Sequence, residues 1–348
     1  MLAIDESGNV FTAYTDGPPE FTVWPASSWI REKLPAAAGA RAGVYFTSQE
    51  SFYVVGPNET ILQRDQVFNG LLGNISTRGL AADGGHALIA GFIVRGITPK
   101  SLLVRGAGPS LLNFDVTGAL TRPTLTVFDS AGHAIATNTG WGNGPYPAVI
   151  AYAAFQIGAF AFESGSNDSA VIVTLPPGAY TAQITGPSGA PGVALAEVYD
   201  LDTPVNGTSR TINLSTRGQV NGANNPMIAG LVVKGPVWRT FLVRGVGPSL
   251  AKFGISDSLP DPVLFDPIAS DRSAGSTAQY YNFVSIDRNS ADVLAATAAV
   301  GAFTLDPNSA DAAMLVSLAP GNYTIQLSSK SNAAGVALIE IYEVRAGQ

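Results

Sequence analysis

From about residue 71 onward the chain alternates short apolar runs with clusters of turn residues. In the stretch to residue 203 the runs are LIAGFIV (88–94), SLLVRG (101–106), TLTVFD (124–129), AVIVTL (170–175), AYTAQIT (179–185) and ALAEVYD (194–200). β-branched and aromatic residues fill them, and Gly, Pro, Asn and Asp bound them, which predicts short strands of an antiparallel sandwich. One stretch differs. AVIAYAAFQ (148–156) is alanine-rich and free of Gly and Pro, and it predicts a short helix covering a sheet edge.

The pattern occurs twice. LLVRGAGPSL (102–111) returns as FLVRGVGPSL (241–250), and Ile75-Ser76-Thr77-Arg78-Gly79 as Leu214-Ser215-Thr216-Arg217-Gly218, a shift of 139 from 75 to 214. Ile89-Ala90-Gly91 matches Ile228-Ala229-Gly230 at the same shift. Further on, Ile157-Gly158-Ala159-Phe160 pairs with Val300-Gly301-Ala302-Phe303, a shift of 143 from 157 to 300, as do PGAYT (177–181) with PGNYT (320–324) and GVAL (192–195) with GVAL (335–338). The helical stretch is matched by ADVLAATAAV (291–300). A period this long exceeds a solenoid unit and fits tandem globular domains.

The fold class expected is therefore all-β: two tandem antiparallel, jelly-roll-like β-sandwich domains, each with one short helix, behind a small N-terminal β region. The boundaries read as 1–70, 71–203 and 204–348, with LDTPVNGTSR (201–210) as linker. In 1–70, GNVFTAY and EFTVW read as strands and SFYVVGPNETILQR (51–64) as two strands around a Pro-Asn turn. They are too few to close a propeller, and fit either a last blade or an independent hairpin layer.

Charge narrows the choice of partners. With 19 Lys and Arg against 26 Asp and Glu, the net charge is −7, which leaves no basic surface for nucleic acid or anionic lipid. Charged residues make up only 13% of the chain, and a mean hydropathy of +0.21 predicts apolar patches that favour a homo-oligomer or filament. No run approaches the roughly 18–20 apolar residues of a membrane span, so membrane insertion is not expected. The absence of cysteine excludes disulfides and thiolate sites without identifying a compartment. MLAIDESGNVFTAYTDG lacks the basic and apolar regions of a signal peptide, so either export by that route does not occur or Met1 begins a fragment.

Candidate chemistry is sparse. The duplicated glycine loop resembles a phosphate loop, but Gly106-Ala107-Gly108-Pro109-Ser110-Leu111 has Leu at the third glycine position, no following Lys, and a proline that removes a donor. It reads better as a tight turn leaving a strand, with Pro109 fixing φ. Ser110 lies outside a nucleophile elbow, and neither histidine, His86 or His133, recurs in the second copy. Asp129, Asn138 and Trp141 offer the oxygen ligands and aromatic face of a calcium or sugar edge. Trp141, Tyr146, Tyr280 and Tyr281, in Gly/Asn-rich loops, form the possible ligand surface for a polysaccharide. Asp168 and Asp311 are the carboxylates a hydrolase would use, though each also fits a turn before a strand. Glu197 and Glu340 stand inside the equivalent apolar runs ALAEVYD and ALIEIYE. A carboxylate there requires a partner, so structural ion pairs with Arg105 and Arg244 are expected, with Arg78 and Arg217 as second choices. No cofactor or metal is expected.

NISTRG, LIAGFIVRG, KSLLVRGAGPSL, TLTVFDSAGHAIATN, TLPPGAYTAQITG and GVALAEVYDLD together resemble a β-sandwich module found in tandem near the C-termini of large secreted or surface proteins of environmental bacteria. FYVVGPNETILQR is similar to a blade motif of sialidase-like or photosystem-assembly-factor-like propellers, and the final strands resemble the bacterial pre-peptidase C-terminal jelly roll. What the resemblance implies is an extracellular or cell-surface location and no established chemistry. The functions expected are a non-enzymatic structural or adhesive protein, then a carbohydrate-binding accessory module, then a hydrolase.

Overall fold

The computed structural model describes residues 72–144, 146–188, 190–201, 209–222, 225–233, 238–269, 281–285 and 288–344, and the strands between residues 2 and 65; side chains are described from residue 74 onward, except at 210, 212, 266–269 and 281–285. The chain divides into a unit containing Met1–Asn69 and a unit spanning Gly70–Val344.

In the first unit, β1 (Leu2–Ile4), β2 (Val10–Ala13), β3 (Glu20–Trp24) and β4 (Ile30–Lys33) form an antiparallel meander. A second sheet holds β5 (Ala42–Phe46), β6 (Ser51–Val55) and β7 (Ile61–Asp65). Val55 faces Ile61 across the Pro-Asn connection.

The second unit is mostly antiparallel β-strand. Its first copy runs β8 (Leu72–Ala81), β9 (Leu88–Arg95), β10 (Lys100–Ala107), β11 (Thr124–Asp129), β12 (Ala134–Asn138), helix α1 (Pro147–Gln156), β13 (Ser169–Leu175), β14 (Gly178–Thr185) and β15 (Gly192–Asp200). The second copy repeats that order with β16 (Arg210–Asn221), β17 (Met227–Val233), β18 (Arg239–Val246), β19 (Pro262–Ala269), β20 (Tyr281–Ser285), α2 (Ala291–Ala299), β21 (Ala312–Leu318), β22 (Gly321–Ser329) and β23 (Ala334–Val344). Pairings within a copy correspond: β8 with β15 as β16 with β23, and β10 between β13 and β15 as β18 between β21 and β23. The copies part company where their sequences do, since β12 pairs with β11 whereas β20 pairs with β21.

Sheet pairing does not stop at the copy boundary. β16 pairs with β9 of the first copy, and β8 with β17 of the second, so two strand rows run through both copies: β12-β11-β14-β9-β16-β23-β18-β21-β20 and β19-β22-β17-β8-β15-β10-β13. The exchange is symmetric in register, with Thr77 opposite Ala229 and Thr216 opposite Ala90. At its centre the equivalent residues Thr77 and Thr216 share a buried hydroxyl–hydroxyl bond of 2.7 Å, and Gly79 and Gly218 both lie against Leu88 and Met227. One continuous apolar core therefore holds Phe92, Leu102, Val104 and Ile184 of the first copy with Leu231, Phe241, Ile325 and Ile339 of the second. Alternation along each strand, as in the burial of every second residue of Met227–Val233, supplies that core.

The threonine pair makes a direct test of the shared centre. Thr77→Val leaves the Thr216 hydroxyl buried without its partner and should cost about 1–3 kcal/mol, whereas Thr77→Val with Thr216→Val should be closer to neutral. Urea unfolding of the three variants gives the coupling.

Both helices form where expected, but α1 lies over a sheet face and not an edge. Ile150 and Ala154 pack on Leu103, Ala170 and Tyr199, which project from β10, β13 and β15 away from the main core. The same strands send Leu102, Val104 and Val198 into the main core, so this end of the unit has a second apolar layer. α2 does the same with Val293 and Ala296 against Leu242, Ala313 and Leu315.

Candidate functional site

The fold buries two sets of polar groups that recur in both copies. The first is the glycine loop. β10 ends at Ala107, and a 3-10 turn, Pro109–Phe114, follows with proline at its start. The loop's donors do converge on an anion, but it belongs to the protein. Asp168, fully buried, accepts from Gly108 N at 2.7 Å, Ser110 N at 3.3 Å, Ser110 Oγ at 2.5 Å and Ser166 Oγ at 2.7 Å. In the second copy Asp311 accepts from Gly247 N at 2.8 Å, Ser249 N at 3.4 Å, and the hydroxyls of Ser249 and Ser309 at 2.5 Å each. Ser110 and Ser249 thus donate their hydroxyl hydrogen bonds to structural carboxylates.

Glycine is required at 108 for space and not for left-handed backbone, because its φ is −136°. A Cβ there would run into the carbonyl oxygen of Leu120, as one at Gly247 would into that of Leu259. Gly108→Ala should cost about 1–3 kcal/mol by forcing the backbones apart, read as a lower urea midpoint at unchanged slope.

The second set is the ion pair inside the apolar strands. Arg105 Nε lies 3.1 Å from Glu197 Oε2, and Arg244 Nη2 lies 2.8 Å from Glu340 Oε2; all four side chains are at most 5% exposed. Register explains this, because Arg105 is the cross-strand neighbour of Glu197 and Arg244 of Glu340. Arg78 and Arg217, the second-choice partners, sit on β8 and β16. Tyr199 and Tyr342 donate their hydroxyls to the glutamates at 2.6 Å. Burial pushes the Glu197 carboxyl above the usual range, against the pull of Arg105, and raises both tyrosine hydroxyls as well. Arg105 also donates to Phe160 O at 2.8 Å, and its guanidinium stacks 4.4 Å from the Phe160 ring and 3.9 Å from that of Phe162. Arg244 keeps the equivalent contact to Phe303 at 4.3 Å, while Leu305 replaces the second phenylalanine.

The third set is the expected ligand surface, and the structure separates its members. Asp129 closes the β11–β12 turn, accepting from Ala131 N and His133 N at 2.9 Å each and facing His133 Nδ1 at 3.2 Å. Those backbone bonds hold its carboxyl below the ordinary aspartate value. Asn138 faces Leu125, four residues back along β11, about 13 Å away at the usual strand rise; its Oδ1 accepts from Gly140 N and Ala170 N. Trp141 Nε1 is taken by Glu163 O at 3.1 Å and Ser166 Oγ at 3.2 Å. Tyr146 is exposed at the start of α1. Tyr280 and the side chain of Tyr281 lie outside the described residues. His86 is exposed, 3.4 Å from Asp257. Among the described residues no three His, Asp or Glu side chains converge as metal ligands.

Sequence reasoning missed a cavity of about 220 Å³ between α1 and the segment 159–162 that follows it. Trp141, Ile150, Ala154 and Phe162 wall it, the almost fully buried Arg105 also borders it, and the exposed Ala151, Phe155 and Ala161 lie at its margin. The available signal was the first copy's surplus of aromatics, Trp141 and Phe162, over the second. No family model matches the sequence, and no curated protein matches it.

Proposed function

We propose that this chain is a non-enzymatic, extracellular structural or adhesive protein whose two jelly-roll-like sandwich repeats act as a joined framework. The observation that carries this reading is the use to which the duplicated polar groups are put. Asp168, Ser110, Glu197 and Arg105, and their counterparts Asp311, Ser249, Glu340 and Arg244, are all buried and bonded to one another or to backbone. A hydrolase would need at least one of these carboxylates free to meet substrate. The resemblance to modules of secreted bacterial proteins supports the surface location.

Adhesion or self-assembly draws support from the apolar surface. Phe114 and its equivalent Phe253, with Leu112, Val149, Tyr152 and Phe155, are more than half exposed, and such groups favour covering by another molecule. Sedimentation velocity over a range of concentrations tests the reading: reversible association that survives moderate salt is expected. Strictly monomeric behaviour, combined with retention on a polysaccharide column, would replace it with the carbohydrate-binding alternative.

A further inference from the structure

We propose that the outer edge of β13 is a self-pairing interface, to which β13 of a second molecule of this chain adds as an antiparallel strand about a two-fold axis at Val173. The proposal rests on the self-assembly reading above and deepens it by naming the strand through which molecules meet.

The second repeat shows what this edge accepts. There β21 lies between β18 and β20, whereas its equivalent β13 pairs with β10 alone, since β12, which stands before α1 as β20 stands before α2, pairs with β11 instead. Exposure follows the difference. Under β20, Leu315 is buried and Ser317 half-buried, while their equivalents Ile172 and Thr174 are half-buried and exposed. Backbone groups along a paired strand point alternately to its two sides. Ala170 N points away from β10, donating to Asn138 Oδ1 at 3.1 Å, so Ile172 and Thr174 direct their N–H and C=O outward as well. Among the described residues no strand receives them.

Edges of this kind are ordinarily guarded by proline, charge or a bulge. β19 carries Pro262 and Pro267 with a bulge between Phe265 and Ile268, β20 has a bulge between Phe283 and Ser285, and the short β12 meets β11 with a shift between Val127 and Phe128. β13 has none of these. Its sequence SAVIVTL contains no proline and no charge, and its register against β10 is unbroken from Leu175 to Ser169.

Register identifies the partner. A two-fold axis at Val173 sets Ile172 opposite Thr174 of the other molecule, which pairs the N–H and C=O of both residues in each strand. An axis at Ile172 would call on Ala170 N–H, which is already bonded, and one at Thr174 would call on Pro176, which has no N–H. The uncharged strand also lets two molecules of net charge −7 meet without like charges at the contact. Because the axis is perpendicular to the sheet, both α1 helices lie on one face of the joined sheet. α1 packs on Ala170 of β13, and its Val149, Tyr152 and Phe155, each more than half exposed, stand where α2 has Asp292, Ala295 and Ala298. The bulky apolar groups at these positions therefore belong to the repeat whose edge is open.

The test joins sedimentation velocity of the full chain to amide exchange by NMR at low and high protein concentration. Dimers are expected, and at about 90% dimer the Ile172 and Thr174 amides should exchange about tenfold more slowly. Thr174→Pro deletes an outward N–H on each side of the axis and should weaken dimerisation at least about tenfold, whereas Thr174→Val should leave it unchanged. Thr174→Lys, which brings like charges near the axis, serves if the proline variant does not fold. Dimers whose two amides exchange as fast as in the monomer, or undiminished association of the folded variants, would overturn the strand pairing and leave the self-assembly reading standing. A chain that is monomeric at every concentration would overturn both. Protection independent of concentration, or gained only on adding the synthetic peptide YYNFVSI (280–286), would assign the edge to another strand and overturn the proposal as well.

Discussion

Glu197→Ala should lower the stability of the Gly70–Val344 unit by about 3–5 kcal/mol, because it strands the Arg105 guanidinium in an apolar layer. The loss is large even though making the pair gains little. Desolvation raises the Glu197 carboxyl despite the arginine at 3.1 Å, so the charged pair is held mainly by having no alternative. Glu197→Gln, which keeps an acceptor for Tyr199, should cost less. The pH dependence has a definite sign. A carboxyl whose folded pKa lies above its unfolded value contributes stability below the unfolded value, and that contribution is lost as pH rises through the folded one. Stability of the parent relative to Glu197→Gln should therefore fall as pH climbs from near 4.5, the ordinary glutamate value, measured as urea midpoints of both proteins across mild acid.

The second large effect is expected at the loop clamp. Asp168→Ala removes the acceptor for two backbone N–H groups and two serine hydroxyls at once. The hydroxyls can rotate toward other acceptors, but Gly108 N and Ser110 N cannot, and at about 1–3 kcal/mol for each unsatisfied buried donor the expected loss is about 3–5 kcal/mol. Asp168→Asn keeps one oxygen and should recover part of it. Thermal unfolding of the variants, with the equivalent Asp311→Ala as comparison, checks both statements: similar losses in the two copies are expected.

Much of this framework is legible from the residues themselves. The strand runs follow from apolar alternation, the helices from alanine-rich segments without Gly or Pro, and the Arg–Glu pairs from the cost of a carboxylate within an apolar strand. The aspartate clamp was only half legible. Asp168 and Asp311 recur at one shift and the GPS turns at another, yet spacing does not reveal that two turns about 60 residues apart close on each other, as the bond of Gly108 to Asp168 does.

The strand exchange was not legible at all, for a physical reason. Thr77 on β8 lies opposite Ala229, but Ile89-Ala90-Gly91 and Ile228-Ala229-Gly230 are identical. Pairing within a copy and pairing across copies therefore present the same Ile-Ala-Gly triplet to Ser76, Thr77 and Arg78 of β8. Residue patterns cannot separate the two arrangements; only chain geometry does. The ligand surface failed differently, because Asp129 and Asn138 are neighbours in sequence terms but stand at opposite ends of a hairpin.

The central claim is that the two copies are one framework, built on shared sheets and a common core, and not two folds joined by a linker. Hydrogen exchange of the full chain in low denaturant measures it most directly, comparing protected amides of β15 with those of β23. One framework predicts that both sets exchange with the same opening free energy and the same denaturant dependence, and that Glu197→Ala lowers both together. Loss of protection in β15 with β23 unchanged would contradict it.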